Sequence, residues 1–206
     1  MKSFFIAVLV IFGCVLVGGA AFVWSGIYNV GADIPHWKAT FLLLEAVRER
    51  SIAVHSDGIK VPSLDNKDAV DTGFPHFHDM CRLCHGAPGY QRKEFAQGLY
   101  PNPPVLSSHE VQRENDDRAL YWIVKNGLKM TGMPSFGKSH SEKQLWGIVA
   151  FVRRLPSLDP QTYKGMLESL SKEEEGKERP HEHEAKAHIQ KQSADKHEAL
   201  VAGNSG

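Results

Sequence analysis

The chain has 206 residues, and its 24 Lys and Arg balance its 24 Asp and Glu, which gives a formal net charge of zero. A neutral chain lacks the positive surplus of nucleic-acid-binding proteins, so no nucleic-acid partner is expected. The length suffices for one modest domain with appendages, and the composition changes from an apolar start through a mixed middle to a charged end.

The N-terminal segment contains an uncharged run from Phe4 to Trp24. As a helix this run is long enough to cross a bilayer, so residues 1–27 are predicted to be a single-pass membrane anchor. A cleaved signal peptide is the alternative, although its apolar core usually spans only about 7–15 residues. Lipid attachment at Cys14 is a second alternative. Lys2 precedes the run, which favours a cytoplasmic start and a following body in the periplasm of a bacterium, held at the inner membrane.

Residues 28–70 are predicted to be a membrane-proximal helix and a linker. Ala39 to Val54 can form an amphipathic helix, with apolar residues on one face at Leu43, Leu44, Val47 and Val54. Gly58 and Pro62 end this pattern.

The globular domain is predicted to span residues 71–160. Thr72 is the expected N-cap of its first helix, and Pro75 is expected in the first turn of that helix. Capping patterns open three further helices, at Ser107–Glu110, at Asn115 or Asp116, and at Ser141–Gln144. With three to five helices and no convincing strand, the domain is expected to be all-α.

The first helix leads into Cys81-Arg82-Leu83-Cys84-His85, a C-x-x-C-H motif. Two thiols at this spacing can form thioethers to one haem, and the adjacent histidine can ligate its iron, so the motif indicates one covalent haem c. A zinc site or a redox dithiol is the alternative, but zinc needs two more Cys or His ligands at comparable spacing.

Residues 161–206 are predicted to be a charged tail. The stretch from Lys172 onwards has no aromatic residue and contains His181, His183, His188 and His197. Such a composition buries too little apolar surface to offset the entropy of ordering, so disorder is expected.

The segment from Asp71 to Pro156 resembles the class I cytochromes c. Besides the haem motif, the shared features are Gly73, Phe77, Pro104, Leu106, Gly132-Met133-Pro134, Ile148 and Phe151. The resemblance implies an all-α class I fold around one haem, in which the first and last helices cross at these glycine and aromatic positions. It also implies that the carbonyl of Pro104, or of Pro103, accepts a hydrogen bond from His85. The stretch Tyr28 to Trp37 is similar to that of bacterial membrane-anchored monohaem cytochromes.

The second axial ligand is expected to be a methionine, since a thioether opposite an imidazole raises the potential of an electron carrier. Met133 matches the position of the family's ligand and is preferred over Met130, with His109 and His140 as less favoured candidates. The apolar wall of the haem pocket is expected to comprise Leu106, Trp122 and Phe136.

These features predict a membrane-anchored, periplasmic electron-transfer protein that carries one electron and is not itself an enzyme. Its partners would be redox proteins: a quinol-oxidising complex or a dehydrogenase as donor and an oxidase or reductase as acceptor, with no small-molecule substrate. The alternative is a fixed cytochrome c subunit of a larger membrane oxidoreductase. A haem with a displaced methionine that binds gases is a further alternative.

Overall fold

The computed structural model describes residues 1–172, and the secondary structure of this part is helical. Its longer helices are α1 (Lys2–Ser25), α2 (Lys38–Ser56), α3 (Lys67–His76), α7 (Asp117–Asn126), α8 (Glu142–Arg154) and α9 (160–172). The shorter ones are α4 (Arg82–His85), α5 (Glu94–Gln97) and α6 (His109–Glu114), together with a π-helical turn at Phe77–Cys81 and a 3₁₀ turn at Leu155–Ser157. No β-strand occurs in residues 1–172, so the expected all-α class is confirmed.

Helix α1 is apolar along its whole length. It has 24 residues, its most apolar 18-residue window has a mean hydropathy of 2.8, and no residue is buried against the rest of the chain. A helix of this kind is a candidate membrane span, and an N-terminal signal sequence has the same properties.

Helix α3 begins earlier than the sequence suggested. Its N-cap is Asn66, whose side chain accepts a hydrogen bond from the backbone N–H of Ala69. The prediction that Thr72 caps this helix is therefore wrong, because Thr72 lies inside it and donates to the carbonyl of Asp68. Pro75 is also inside the helix, where it cannot donate an N–H, and the chain widens into the π-helical turn directly afterwards. Helix α3 thus starts at Lys67, before the predicted boundary at residue 71.

The contact between α3 and α8 organises the domain. A Cβ placed on Gly73 would lie only 1.9 Å from the carbonyl oxygen of Gly147, so the two backbones touch. The ring of Phe77 lies 4.9 Å from that of Phe151, and Ile148 is fully buried beside them. The crossing of the first and last helices implied by the family resemblance is present.

Helix α9 completes the core and corrects the predicted tail. Tyr163 is fully buried, and its ring lies 5.4 Å from that of Phe74. Its hydroxyl forms a hydrogen bond with Nδ1 of His78. Residues 161–172 therefore belong to the domain, because the aromatic side chain of Tyr163 fills a space left by α3 and α8. The rest of the predicted tail, residues 173–206, lies outside the described residues.

The segment between α6 and α8 is held by one arginine. Nε of Arg153, in the last turn of α8, donates to the carboxylate of Asp117 at 2.6 Å. Its two terminal nitrogens donate to the carbonyls of Gln112 and Asn115. A guanidinium can make these contacts together because it presents five donors in one plane, so Arg153 joins the end of α6 and the start of α7 to α8.

A group of aromatic residues joins the N-terminal part of the chain to the haem-motif domain. This junction cluster consists of Tyr28, His36, Trp37 and Tyr100. The hydroxyl of Tyr28 forms a 2.7 Å hydrogen bond with Nδ1 of His36, and the backbone N–H of His36 donates to the hydroxyl of Tyr100. Trp37 packs on Tyr28 and on Phe22 near the end of α1. The end of the apolar helix is thus tied to the loop that precedes Pro104.

Candidate haem site

The histidine of the C-x-x-C-H motif is oriented by a backbone carbonyl. Nδ1 of His85 lies 2.8 Å from the carbonyl oxygen of Pro104, so Pro104 rather than Pro103 is the hydrogen-bond partner. A carbonyl oxygen only accepts, so Nδ1 must carry the proton, and Nε2 keeps a free lone pair. Burial lowers the pKa of His85, the hydrogen bond to Pro104 opposes this, and Arg92 lowers the pKa further. His85 is consequently a neutral imidazole at pH 7, which is the form that binds a metal.

The two cysteines of the motif lie in apolar surroundings. Cys81 is buried in the hydrophobic core, and Cys84 is half-buried one turn later. Burial, and then the neighbouring Cys84, raises the pKa of Cys81 to about 12. Dithiol redox chemistry uses a cysteine of lowered pKa, so the raised pKa of Cys81 argues against that alternative. Moreover, residues 1–172 contain no group of three or more His, Cys, Asp or Glu placed to hold a metal ion.

The methionine loop is fastened to the end of α7. The N–H of Leu128 donates to the carbonyl of Met133, and Thr131 Oγ1 accepts from the N–H of Met133 while donating to the carbonyl of Leu128. Gly127 has φ +67°, and a Cβ there would lie 2.8 Å from the carbonyl oxygen of Met133. Only glycine suits both the conformation and the space, so the loop is held tightly where it leaves the helix.

The two candidate methionines differ in exposure. Met133 is half-buried and packs against the hydrophobic core. Met130 is 70% exposed and has φ +60°, a left-handed backbone conformation. His109 is exposed on α6, and His140 lies against Phe136 and His76 instead.

Two of the three predicted wall residues are found together. Leu106 and Phe136 are half-buried and pack against the same core as Met133. Trp122 is different, because its ring lies 5.7 Å from that of His55 on α2. Trp122 therefore packs against α2. It lies on the face of α7 opposite the buried residues Leu120 and Val124.

Sequence reasoning missed Gln112, which fixes the segment after Pro104. Its Nε2 donates to the carbonyl of Leu106 at 2.7 Å and to that of Val152 on α8 at 3.0 Å. One side chain thus joins the Pro104–Leu106 backbone to α8. No motif marks a glutamine for this role, since it depends on two carbonyls that are distant in sequence.

The residues present fit a covalently bound haem. Two uncharged thiols, a neutral histidine with a free Nε2, a half-buried thioether and apolar neighbours are what such a group requires. The histidine is held by a carbonyl in the manner that orients metal ligands generally.

Comparisons with known proteins agree with this chemistry. The family model described as "Cytochrome C oxidase, cbb3-type, subunit III" matches residues 68–152. No curated protein matches the chain. The matched segment begins in the first turn of α3 and ends near the end of α8, so it covers the haem motif, the methionine loop and the crossing of the two helices. Residues 68–152 are therefore a c-type cytochrome domain with the all-α class I fold.

Proposed function

We propose that this protein transfers single electrons through one haem c, bound by Cys81 and Cys84 and ligated by His85 and Met133. The observation that carries this proposal is the 2.8 Å contact between Nδ1 of His85 and the carbonyl of Pro104. It leaves Nε2 as the only ring nitrogen able to bind iron. The matched cytochrome family supports a haem-based electron-transfer role for the domain.

The haem, when bound, supplies an iron that accepts and releases one electron. The protein chain holds the iron ligands in place and keeps water away from the haem. The hydrogen bond from His85 fixes one ligand, and the bonds from Leu128 and Thr131 fix the loop that presents the other. Leu106 and Phe136 exclude water, which helps set the potential. A rigid site of this kind minimises structural change between the two oxidation states.

Met133 is the proposed second ligand because, of the two methionines in the loop, it is the one that packs against the core. Met130 would have to leave an exposed, left-handed position to reach the same place. With histidine and methionine both bound, no coordination position remains for a substrate, and the protein acts as a carrier or electron-transfer subunit rather than an enzyme.

Carbon monoxide provides the direct test of this function. The reduced holoprotein is expected to show no change in its Soret band on exposure to carbon monoxide at neutral pH, because both axial positions are filled. The Met133→Ala variant, which has an open position, is the positive control and should bind the gas. Binding by the unmodified protein at similar affinity would indicate a ligand-binding haem and contradict electron transfer as its function.

We further propose that α1 is retained as a membrane anchor, with the haem domain in the periplasm of a bacterium. The apolar length of α1 and the positive charge of Lys2 at its N-terminal end support this orientation. The junction cluster ties the end of α1 to the segment that follows it, since Trp37 packs on Phe22.

If α1 is a membrane anchor, it determines the cell fraction in which the expressed protein is found. It should remain in the membrane fraction after high-salt washing, because an apolar span is held far more strongly than a charged surface contact. Intact-mass measurement should show a chain that still contains residues 1–25. A mature chain that begins near residue 22, or a lipid on Cys14, would show that the span is not an anchor.

A fixed subunit of a larger oxidoreductase is the second candidate. Two observations favour it: the matched family is described as a subunit of an oxidase, and the junction cluster ties the haem domain to the membrane-proximal segment. The partners in either case would be redox proteins, such as a quinol-oxidising complex or dehydrogenase and an oxidase or reductase. Purification in mild detergent separates the candidates, because a subunit co-purifies stoichiometrically with its complex and a carrier does not.

A further inference from the structure

Two histidines outside the haem site face each other on the surface of the domain. His76 is the last residue of α3, and His140 directly precedes Ser141, the N-cap of α8. Their ring centres are 5.0 Å apart with the ring planes at 81°, and both side chains are half-buried. Neither residue is one of the ligands proposed for the haem.

The hydrogen bonds of His140 leave one of its nitrogens available. Nδ1 lies 3.3 Å from the carbonyl oxygen of Phe136 and 2.9 Å from the hydroxyl of Ser139. Because the carbonyl only accepts, Nδ1 carries the proton and Nε2 has a free lone pair. A backbone carbonyl on the other ring nitrogen is the usual support of a histidine that binds a metal. In residues 1–172 the ring of His76 has no hydrogen bond and so is free to present either nitrogen.

The surroundings of His76 favour binding of a metal cation over protonation of its ring. Burial lowers the pKa of His76, and His140 lowers it further, while Asp79 has the opposite effect. The lowered pKa of His76 means that protons compete only weakly for its lone pair at pH 7. The carboxylate of Asp79, close enough to act on His76, also attracts positive charge.

The separation of the rings matches chelation. A metal ion held about 2 Å from one nitrogen of each imidazole brings the two ring centres to roughly 5 Å. We propose that His76 and His140 form a two-histidine site for a divalent transition metal of the zinc or copper class, which prefers imidazole ligands. Water completes the coordination, since no third His, Cys, Asp or Glu of residues 1–172 is grouped with the pair.

Metal binding at this site would fasten the end of α3 to the segment that follows the methionine loop. His140 packs on Phe136, and the N–H of Phe136 donates to the carbonyl of Val124 on α7. A bound ion thus links three elements of the domain, and it should stabilise the folded state because it binds that state alone.

The test uses the full-length, ferric holoprotein in detergent, with the four tail histidines (His181, His183, His188 and His197) replaced by glutamine in every sample. Cu²⁺ is titrated and followed by electron paramagnetic resonance, and Zn²⁺ is used to follow thermal unfolding. We expect one Cu²⁺ with a two-nitrogen hyperfine pattern, and a higher unfolding midpoint with Zn²⁺. His76→Gln and His140→Gln should each weaken Cu²⁺ binding by about tenfold or more and remove the effect of Zn²⁺.

His109→Gln is the matched control, because His109 is exposed and isolated from the pair. It should leave both signals unchanged. An unaltered haem spectrum establishes that each variant is folded. The proposal is overturned if no Cu²⁺ binds up to about 1 mM, well above the range of specific sites. Equal weakening by His109→Gln and His76→Gln would overturn it as well.

Discussion

Replacing Met133 with alanine is expected to abolish the weak absorption band of ferric haem near ~700 nm, which reports an iron–thioether bond. The same substitution should lower the reduction potential by on the order of 0.1 V or more, because axial ligands set potentials over a wide range. The effect is large because Met133 is the half-buried methionine of the loop that Leu128 and Thr131 hold in place.

Met130→Ala is the matched control for this experiment. Met130 belongs to the same loop but is 70% exposed, so its removal should leave both the band and the potential close to those of the unmodified protein. Loss of the band in Met130→Ala and its persistence in Met133→Ala would show that the ligand is misassigned.

Adding a single methyl group at Gly73 is expected to destabilise the domain severely. In an exposed helix, Gly→Ala stabilises by up to about 1 kcal/mol. At Gly73 the new Cβ would lie 1.9 Å from the carbonyl oxygen of Gly147 and 2.7 Å from the backbone nitrogen of Ile148. Backbone atoms in the centre of α8 cannot move aside, so α3 and α8 must separate. We expect the free energy of unfolding to fall by about 3 kcal/mol or more.

Gly165→Ala provides the control, because Gly165 lies in α9 with nothing within 4 Å of the added Cβ. It should be neutral or slightly stabilising. Thermal unfolding of both holoproteins, followed by circular dichroism, measures the difference. An unfolding midpoint of Gly73→Ala equal to that of Gly165→Ala would mean that the two helices do not cross at this glycine.

Local sequence signals predicted the parts of the fold that depend on neighbouring residues. Asp116 caps α7, Gly127 ends it, and Ser141 forms a capping box with Gln144, all as expected from short patterns. The haem motif and the methionine loop were also found in this way. Each signal lies in a few consecutive residues, so it can be recognised without knowledge of the tertiary fold.

Predictions failed where the local sequence pattern did not determine a single structure. Ser107 was expected to begin a capping box, but Ser108 is the N-cap of α6, one residue later. On α2 the predicted apolar face is largely exposed at Leu43, Val47 and Val54. The burial of individual α2 residues depends on where α7 packs, which the amphipathic pattern does not contain.

The functional residues that escaped prediction act over long sequence separations. Gly147 was missed because its importance depends on Gly73, far away in the chain. The same holds for Gln112 and Arg153, whose partners are backbone carbonyls rather than side chains with a recognisable spacing. Tyr163 was assigned to the tail because composition alone does not show that one buried aromatic residue keeps α9 on the domain.

The most direct test of the central claim is the intact mass of the purified holoprotein, read together with its pyridine haemochrome spectrum. We predict a chain carrying the mass of one haem, which acidic acetone does not extract, and a haemochrome spectrum typical of thioether-linked haem. Replacing Cys81 and Cys84 with serine should return the mass to that of the bare chain. A bare mass for the unmodified protein, or a haem that acidic acetone removes, would contradict covalent attachment at this motif.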